Sequence, residues 1–291
     1  MTTRRHFLGG LSAALAATAA HGAGSSAVAP SGASSWQLGC YTRPWADHDY
    51  RTALDAIAAA GFKHVGLMTT KSKNKLIVSI ESTPEEAAAV GDEVKRRGLQ
   101  AISLWGGNFP LDSAAGLKRI IDNCAACGCP NLLLGGTDEK NADAYYKIVA
   151  VCCDYAAGNN VGLSIKPHGG NNANGSQCRR IIDRINHPSL RLWYDPGNIF
   201  YYSDGALDPV DDAAAVDGVV SGMSVKDFRP PKEVALTPGT GIVDFPKVLA
   251  RLKRGGFAGG PLVVECLSPG DLPHLAAEAR KARHFLTVLT A

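Results

Sequence analysis

From Ser35 onward the chain alternates short apolar runs with longer stretches in which apolar residues recur every three to four positions. The short runs read as strands over residues 37–41, 64–68, 100–105, 131–135, 162–168, 191–195, 222–227 and 261–267. The stretches between them carry helical periodicity. Residues 83–97 show it well, because Thr83 can cap, Pro84 suits a first turn, and Glu85 and Glu86 face the positive helix end. Gly61, Gly98, Gly128 and Gly255 each follow a helical run, where a left-handed C-cap is expected.

Strands that alternate with helices pair in parallel through right-handed crossovers. Eight such units in a chain of this length predict an α/β fold, a single closed (β/α)8 barrel. The rival is an open doubly wound sheet, which wants a glycine-rich turn after its first strand. Cys40-Tyr41-Thr42-Arg43-Pro44-Trp45 has no GxGxxG, and Gly106-Gly107 is too weak a signal to replace it. No Pro/Gly-rich linker splits residues 35–291, so one domain is expected there.

Composition narrows the picture further. The chain has 291 residues, 45% hydrophobic and 20% charged, enough to bury a sizeable core. The formal charge of +3 is scattered rather than run together, which argues against nucleic acid and against a polybasic membrane patch. Residues 1–34 read as a leader. Arg4-Arg5 before Phe7-Leu8 resembles a twin-arginine export signal, with a plain secretory signal as the alternative. The apolar run that follows is too short and too rich in Gly and Ala for a stable membrane span. The expected location is periplasmic or secreted. All eight cysteines lie beyond the leader. Cys124, Cys127 and Cys129 end one amphipathic helix and Cys152-Cys153 lies in another, where thiols pack as small apolar groups. No partner pair at finger-like spacing points to structural zinc, and an oxidising destination permits disulfides without assigning one.

In such a barrel the polar residues at the C-terminal strand ends converge on one pocket. Strand five ends in Lys166 and His168, strand six in Asp195, strand seven in Ser224 and Lys226, and strand eight in Glu265. Alternation puts Lys166 with His168 on one face, Ser224 with Lys226, and Val263 with Glu265. Gathering these charges in one pocket costs free energy unless they pair or hold a metal.

The stretch Pro238-Gly239-Thr240-Gly241-Ile242-Val243-Asp244-Phe245, then Leu252, Gly256-Phe257, Gly259 and Val263-Val264-Glu265, resembles the sugar phosphate isomerase/epimerase family of xylose isomerase-like TIM barrels. So do Asp195-Pro196-Gly197-Asn198 and Val225-Lys226-Asp227. The resemblance implies a carbohydrate substrate and one divalent metal ion, Mn, Mg, Zn or Fe. A glutamate, an aspartate, a histidine and a second glutamate would hold it while a proton moves between adjacent carbons. Asp195 and Glu265 fall on ligand positions, but Lys166 stands for the first glutamate and Ser224 for the histidine. A protonated lysine has no lone pair, and a serine hydroxyl is a poor ligand. His168 is therefore expected as the third ligand beside Asp195 and Glu265.

Lys166, His168, Lys226 and Glu265 are the catalytic candidates, and Trp45, Trp105, Asn198 and Arg229 the substrate-binding ones. Each also has a structural reading. His168 can be a turn residue, Asp195 can accept bonds from its own turn, and Trp45, Trp105 and Arg43 can pack the rim. Asp227 is expected to brace the following loop. Lys166 has three readings: a contact to metal-bound substrate, a base or Schiff-base amine, or an ammonium in the place of the missing cation. The expected function is an exported sugar isomerase or epimerase, or a related lyase, with divalent-metal assistance. The alternatives are a metal-independent lysine/histidine enzyme and a non-catalytic sugar-binding barrel. Export disfavours a phosphorylated substrate, although Lys166, Lys226 and Arg229 can bind an anion. A homo-oligomer is left open.

Overall fold

The computed structural model describes residues 36–291; the leader and export signal expected over residues 1–34 lie outside the described residues. The strands are β1 (Trp36–Tyr41), β2 (His64–Leu67), β3 (Gln100–Trp105), β4 (Asn131–Leu134), β5 (Gly162–Ile165), β6 (Leu190–Tyr194), β7 (Val220–Val225) and β8 (Gly260–Val264). They pair in sequence order, all parallel, and β8 closes on β1, with Leu38 opposite Leu262. The described helices are α1 (Tyr50–Ala59), α2 (Pro84–Arg96), α3 (Ala115–Ala126), α4 (Ala142–Gly158), α5 (Gly175–Ile185), α6 (Pro196–Tyr202), α7 (Pro209–Asp212), α8 (Phe245–Arg254) and α9 (Leu272–Leu289). The fold is a single (β/α)8 TIM barrel.

Side-chain alternation sorts the apolar residues into two layers. One lies between the barrel and its helices and includes Leu54, Ile57, Leu163, Leu192, Leu262 and Val264. The other fills the barrel itself with Tyr41, Met68, Ile102, Leu133, Trp193 and Val263. The two largest rings fit because glycines face them. A Cβ on Gly66 would lie 2.1 Å from the Tyr41 ring, and one on Gly222 would lie 2.4 Å from Trp193. Tyr41 then donates to Ser103 Oγ at 2.8 Å, so its hydroxyl is satisfied inside the barrel. This packed layer is the floor on which the polar strand ends stand.

Helix α2 starts as its sequence requires. Thr83 Oγ1 accepts from Glu86 N at 3.2 Å and Glu86 Oε2 accepts from Thr83 N at 2.9 Å, a reciprocal capping box. Gly61, Gly98 and Gly128 have positive φ as expected, but after α8 it is Gly256, at φ 96°, and not Gly255, that takes the left-handed conformation. Gly255 still belongs to the last helical turn, donating to Arg251 O. All eight cysteines are buried free thiols. No helix among the described residues is long and apolar enough to cross a membrane.

Candidate active site

Four charged residues occupy equivalent places in the barrel. Lys166, Asp195, Lys226 and Glu265 are each the first residue beyond β5, β6, β7 and β8. There the chain leaves the ladder and the side chain can turn over the barrel mouth. All four are buried, at 2%, 0%, 5% and 2% exposure. Charges so far from water must satisfy one another.

Lys166 Nζ lies between the two carboxylates, 2.7 Å from Asp195 Oδ2 and in hydrogen-bond contact with Glu265 Oε2. Glu265 Oε2 also accepts from Ser224 Oγ at 2.8 Å. Its other oxygen, Oε1, accepts from Arg43 Nη1 at 2.6 Å and from Lys226 Nζ at 3.1 Å. Four donors on one carboxylate use its four lone-pair positions. Lys226 also donates to Asn198 Oδ1 at 2.8 Å, and Asn198 Nδ2 donates to Pro167 O at 2.6 Å, which ties β5 to α6. Asp195 Oδ1 caps α6 by accepting from Asn198 N at 2.9 Å.

Electrostatics follow from this packing. Burial acts to raise the Glu265 pKa, but Lys166, Lys226 and Arg43 together overcome it and hold the carboxyl well below its ordinary range. Asp195 goes the other way: complete burial raises it, and Lys166 and Lys226 offset only part of that rise. Burial also acts to lower Lys226, yet Glu265 and Asp195 raise it, so it stays an ammonium.

His168 departs from expectation. The β5 ladder stops at Ile165, Pro167 has no N–H to extend it, and His168 enters a turn closed by its own N–H donating to Asn172 O at 2.9 Å. Asn172 Nδ2 reinforces the turn through Lys166 O at 2.7 Å. The ring therefore lies between Trp105, stacked at a 6.5 Å centroid distance, and Tyr202 at 5.7 Å. It is open toward solvent on one side and crowded by protein on the other. That desolvation first, then Lys166, with Lys226 and Arg43 adding to it, outweighs Glu265 and lowers the imidazole pKa to about 4. The ring is neutral near pH 7.

The expected ligand set of His168, Asp195 and Glu265 is thus not assembled. Among the described residues no three His, Cys, Asp or Glu side chains converge as metal ligands. The donor chemistry agrees, for an ammonium already stands between the carboxylates and Glu265 has no lone pair left to give. The residues present do not fit a divalent metal.

A cavity of about 310 Å³ opens over this cluster, lined by Arg43, Trp105, Lys166, His168, Asn198, Tyr201, Tyr202, Lys226 and Glu265 among others. Two proposed substrate contacts fall elsewhere. The 3-10 turn Arg43–Trp45 sends Arg43 to the cavity and Trp45 into the apolar layer under the helices, at 1% exposure. Arg229 is exposed, and its guanidinium is spent on Glu233 at 2.9 Å and Thr240 O at 2.9 Å. Tyr201 and Tyr202 were not expected at the site. They arrive on α6, and the Asp195-Pro196 cap that starts this helix beside the pocket was their one available signal. Asp227 braces its loop as anticipated. Its carboxylate accepts from the N–H groups of Phe228 (2.8 Å), Gly239 (2.9 Å), Gly241 (2.8 Å) and Val243 (3.2 Å).

A parallel eight-stranded barrel with its ionisable residues at the C-terminal strand ends defines a class, and the comparisons narrow it. Residues 54–288 match the xylose isomerase-like TIM barrel family, and the chain belongs to it. A comparison with curated proteins returns no match. Among solved structures, a xylose isomerase domain protein from Planctomyces limnophilus is 20% identical, with a TM-score of 0.68 over 87% of this chain and 97% of that one. A D-allulose 3-epimerase from Methylomonas sp., bound to D-allulose, is 17% identical, with a TM-score of 0.64 over 87% and 96%. A xylose isomerase-like TIM barrel protein from Mycobacterium smegmatis, in complex with magnesium, is 15% identical, with a TM-score of 0.69 over 89% and 100%. At these identities the likeness is one of fold.

Proposed function

We propose that this chain is a carbohydrate isomerase or epimerase that performs proton transfer next to a carbonyl with lysine ammonium groups as its electrophile. One observation carries the reading: Lys166 Nζ is held between Asp195 and Glu265, where the family resemblance leads one to expect a metal. Each ammonium has three protons. Lys166 commits one to Glu265 and stands in ion-pair contact with Asp195, and Lys226 commits two to Glu265 and Asn198, so each keeps at least one for a ligand. Two preorganised donors aimed into a sheltered cavity stabilise negative charge that develops on a substrate oxygen.

His168 supplies the proton transfer. Its ring makes no hydrogen bond among the described residues and lines the cavity. A neutral ring nitrogen takes the proton from the carbon beside the carbonyl. The C–H electron pair becomes the new C–C double bond, and the carbonyl oxygen becomes an enediolate oxygen held by the ammonium groups. Return of the proton to the former carbonyl carbon, while the proton of the neighbouring hydroxyl passes to the enediolate oxygen, isomerises the sugar. Delivery of a proton from water to the opposite face of the same carbon, with His168 releasing to solvent the one it took, epimerises it. Glu265 is saturated and well below its ordinary pKa, so it positions the cations and does not carry the proton. Trp105 and Tyr202 offer aromatic faces to the sugar C–H groups. Export through Arg4-Arg5 would place the reaction outside the cytoplasm, where free sugars are the natural substrates.

Deuterium incorporation tests the reading. Aldoses and ketoses incubated with the enzyme in D2O and followed by NMR are expected to gain deuterium beside the carbonyl, equally with and without EDTA, and His168→Asn should abolish the gain. Binding of sugars without any exchange would indicate a carbohydrate-binding barrel, and loss of exchange on chelation would contradict the ammonium reading.

A further inference from the structure

The same cavity carries more positive charge than its own carboxylates neutralise. Arg43, Lys166 and Lys226 face Asp195 and Glu265, which leaves one unit of positive charge unmatched. His168 is neutral and adds no compensation. Asp227 lies next in the chain to Lys226, but its carboxylate is turned away and held by four backbone N–H groups.

The surplus is also divided by depth. Lys166 and Lys226 are buried, whereas the Arg43 side chain is 39% exposed while still lining the cavity. Arg43 uses only Nη1 on the protein, toward Glu265 Oε1 at 2.6 Å and Cys266 Sγ at 3.2 Å. Its Nη2 and Nε have no partner among the described residues. A planar guanidinium with a free edge at a cavity rim is a geometry for an anion with two oxygens in one plane.

Resting on the isomerase reading above, we propose that the substrate is an acidic monosaccharide of the uronate type. Its carboxylate lies on the free edge of Arg43, and its carbonyl end lies deeper, against Lys166 and Lys226. A carboxylate brings one negative charge and matches the surplus. A sugar phosphate brings about 1.5 to 2 and overshoots it. The half-buried aromatic pair Trp105 and Tyr202 leaves the ring between these two ends an apolar wall.

Titration calorimetry at low salt tests this with glucuronate and galacturonate, the matching neutral hexoses, and glucose 6-phosphate. At least one uronate is expected to bind on the order of tenfold more tightly than its neutral counterpart. Arg43→Gln should erase that preference, and Arg43→Lys should recover part of it, with a cooperative thermal transition in each showing that both variants fold. Equal binding of acid and neutral sugars, failure of both uronates to bind at millimolar concentration, or tighter binding of the phosphate would each overturn the proposal. Binding preference is read without turnover. Uronate binding without deuterium exchange therefore sinks only the isomerase reading, and exchange on neutral sugars with no acid preference sinks only this one.

Discussion

Lys166→Met removes the charge at the centre of the site and keeps most of the side-chain volume. In the variant Asp195, at 0% exposure, retains only the Asn198 N–H as a donor, while Glu265 still has Ser224, Arg43 and Lys226. The damage therefore falls on Asp195. Removing one partner of a buried pair costs about 3–5 kcal/mol, because the other charge stays desolvated and uncompensated. A chain of this size loses roughly 2–4 °C of melting temperature per kcal/mol, so calorimetry near pH 7 should record a drop on the order of 6–20 °C. The sign of the pH dependence follows. Burial already raises the Asp195 pKa, and without the lysine it rises further. The penalty is full above that raised value and shrinks as the pH falls through it and Asp195 takes a proton. Adding Asp195→Asn to Lys166→Met removes the orphaned charge and should recover much of the loss. A single variant within about 1 °C of the wild type, or a double variant worse than the sum of its parts, would refute the pairing argument.

Three further outcomes are expected. Because His168 must be neutral to accept a proton and its pKa is lowered to about 4, kcat/KM should fall only as the pH drops through that region; a limb near 6.5 would contradict the assignment. Asp227→Ala strands four backbone donors, so it should cost more than about 3 kcal/mol and speed hydrogen exchange across residues 238–243, whereas unchanged exchange would show that the loop holds itself. Changing Arg4 and Arg5 together to lysine should leave active protein in the cytoplasm, and normal export would indicate a different route.

The strands were legible because a parallel barrel buries both faces of each one, so every strand is a short apolar run between helical stretches. The charged residues at their ends were legible for the converse reason: Lys166, Asp195, Lys226 and Glu265 interrupt apolar sequence where a core residue would otherwise stand. What they bond to was not. Lys166 meets Glu265 across 99 positions of chain, and no local pattern encodes that distance. Strand alternation set His168 on the pocket side with Lys166, and both do line the cavity, but the ladder stops at Ile165 and the chain turns after Pro167, so the imidazole stacks by Trp105 and Tyr202 rather than completing a ligand set with Asp195 and Glu265. Trp45 and Arg229 failed similarly. A position just after a strand places a residue near the rim, but the turn that follows decides whether it faces the cavity, the helices or the solvent. In the 3-10 turn Arg43–Trp45 two residues of one turn face different ways.

The proposed chemistry has the Lys166 ammonium in the place of a metal. It is tested most directly by elemental analysis of purified protein that folded in the metal-replete cytoplasm, joined to melting temperatures with and without millimolar Mg2+ or Mn2+. Divalent metal well below one equivalent per chain and no shift in melting temperature are expected. Stoichiometric metal that survives dialysis, with a melting temperature that falls on chelation, would contradict it.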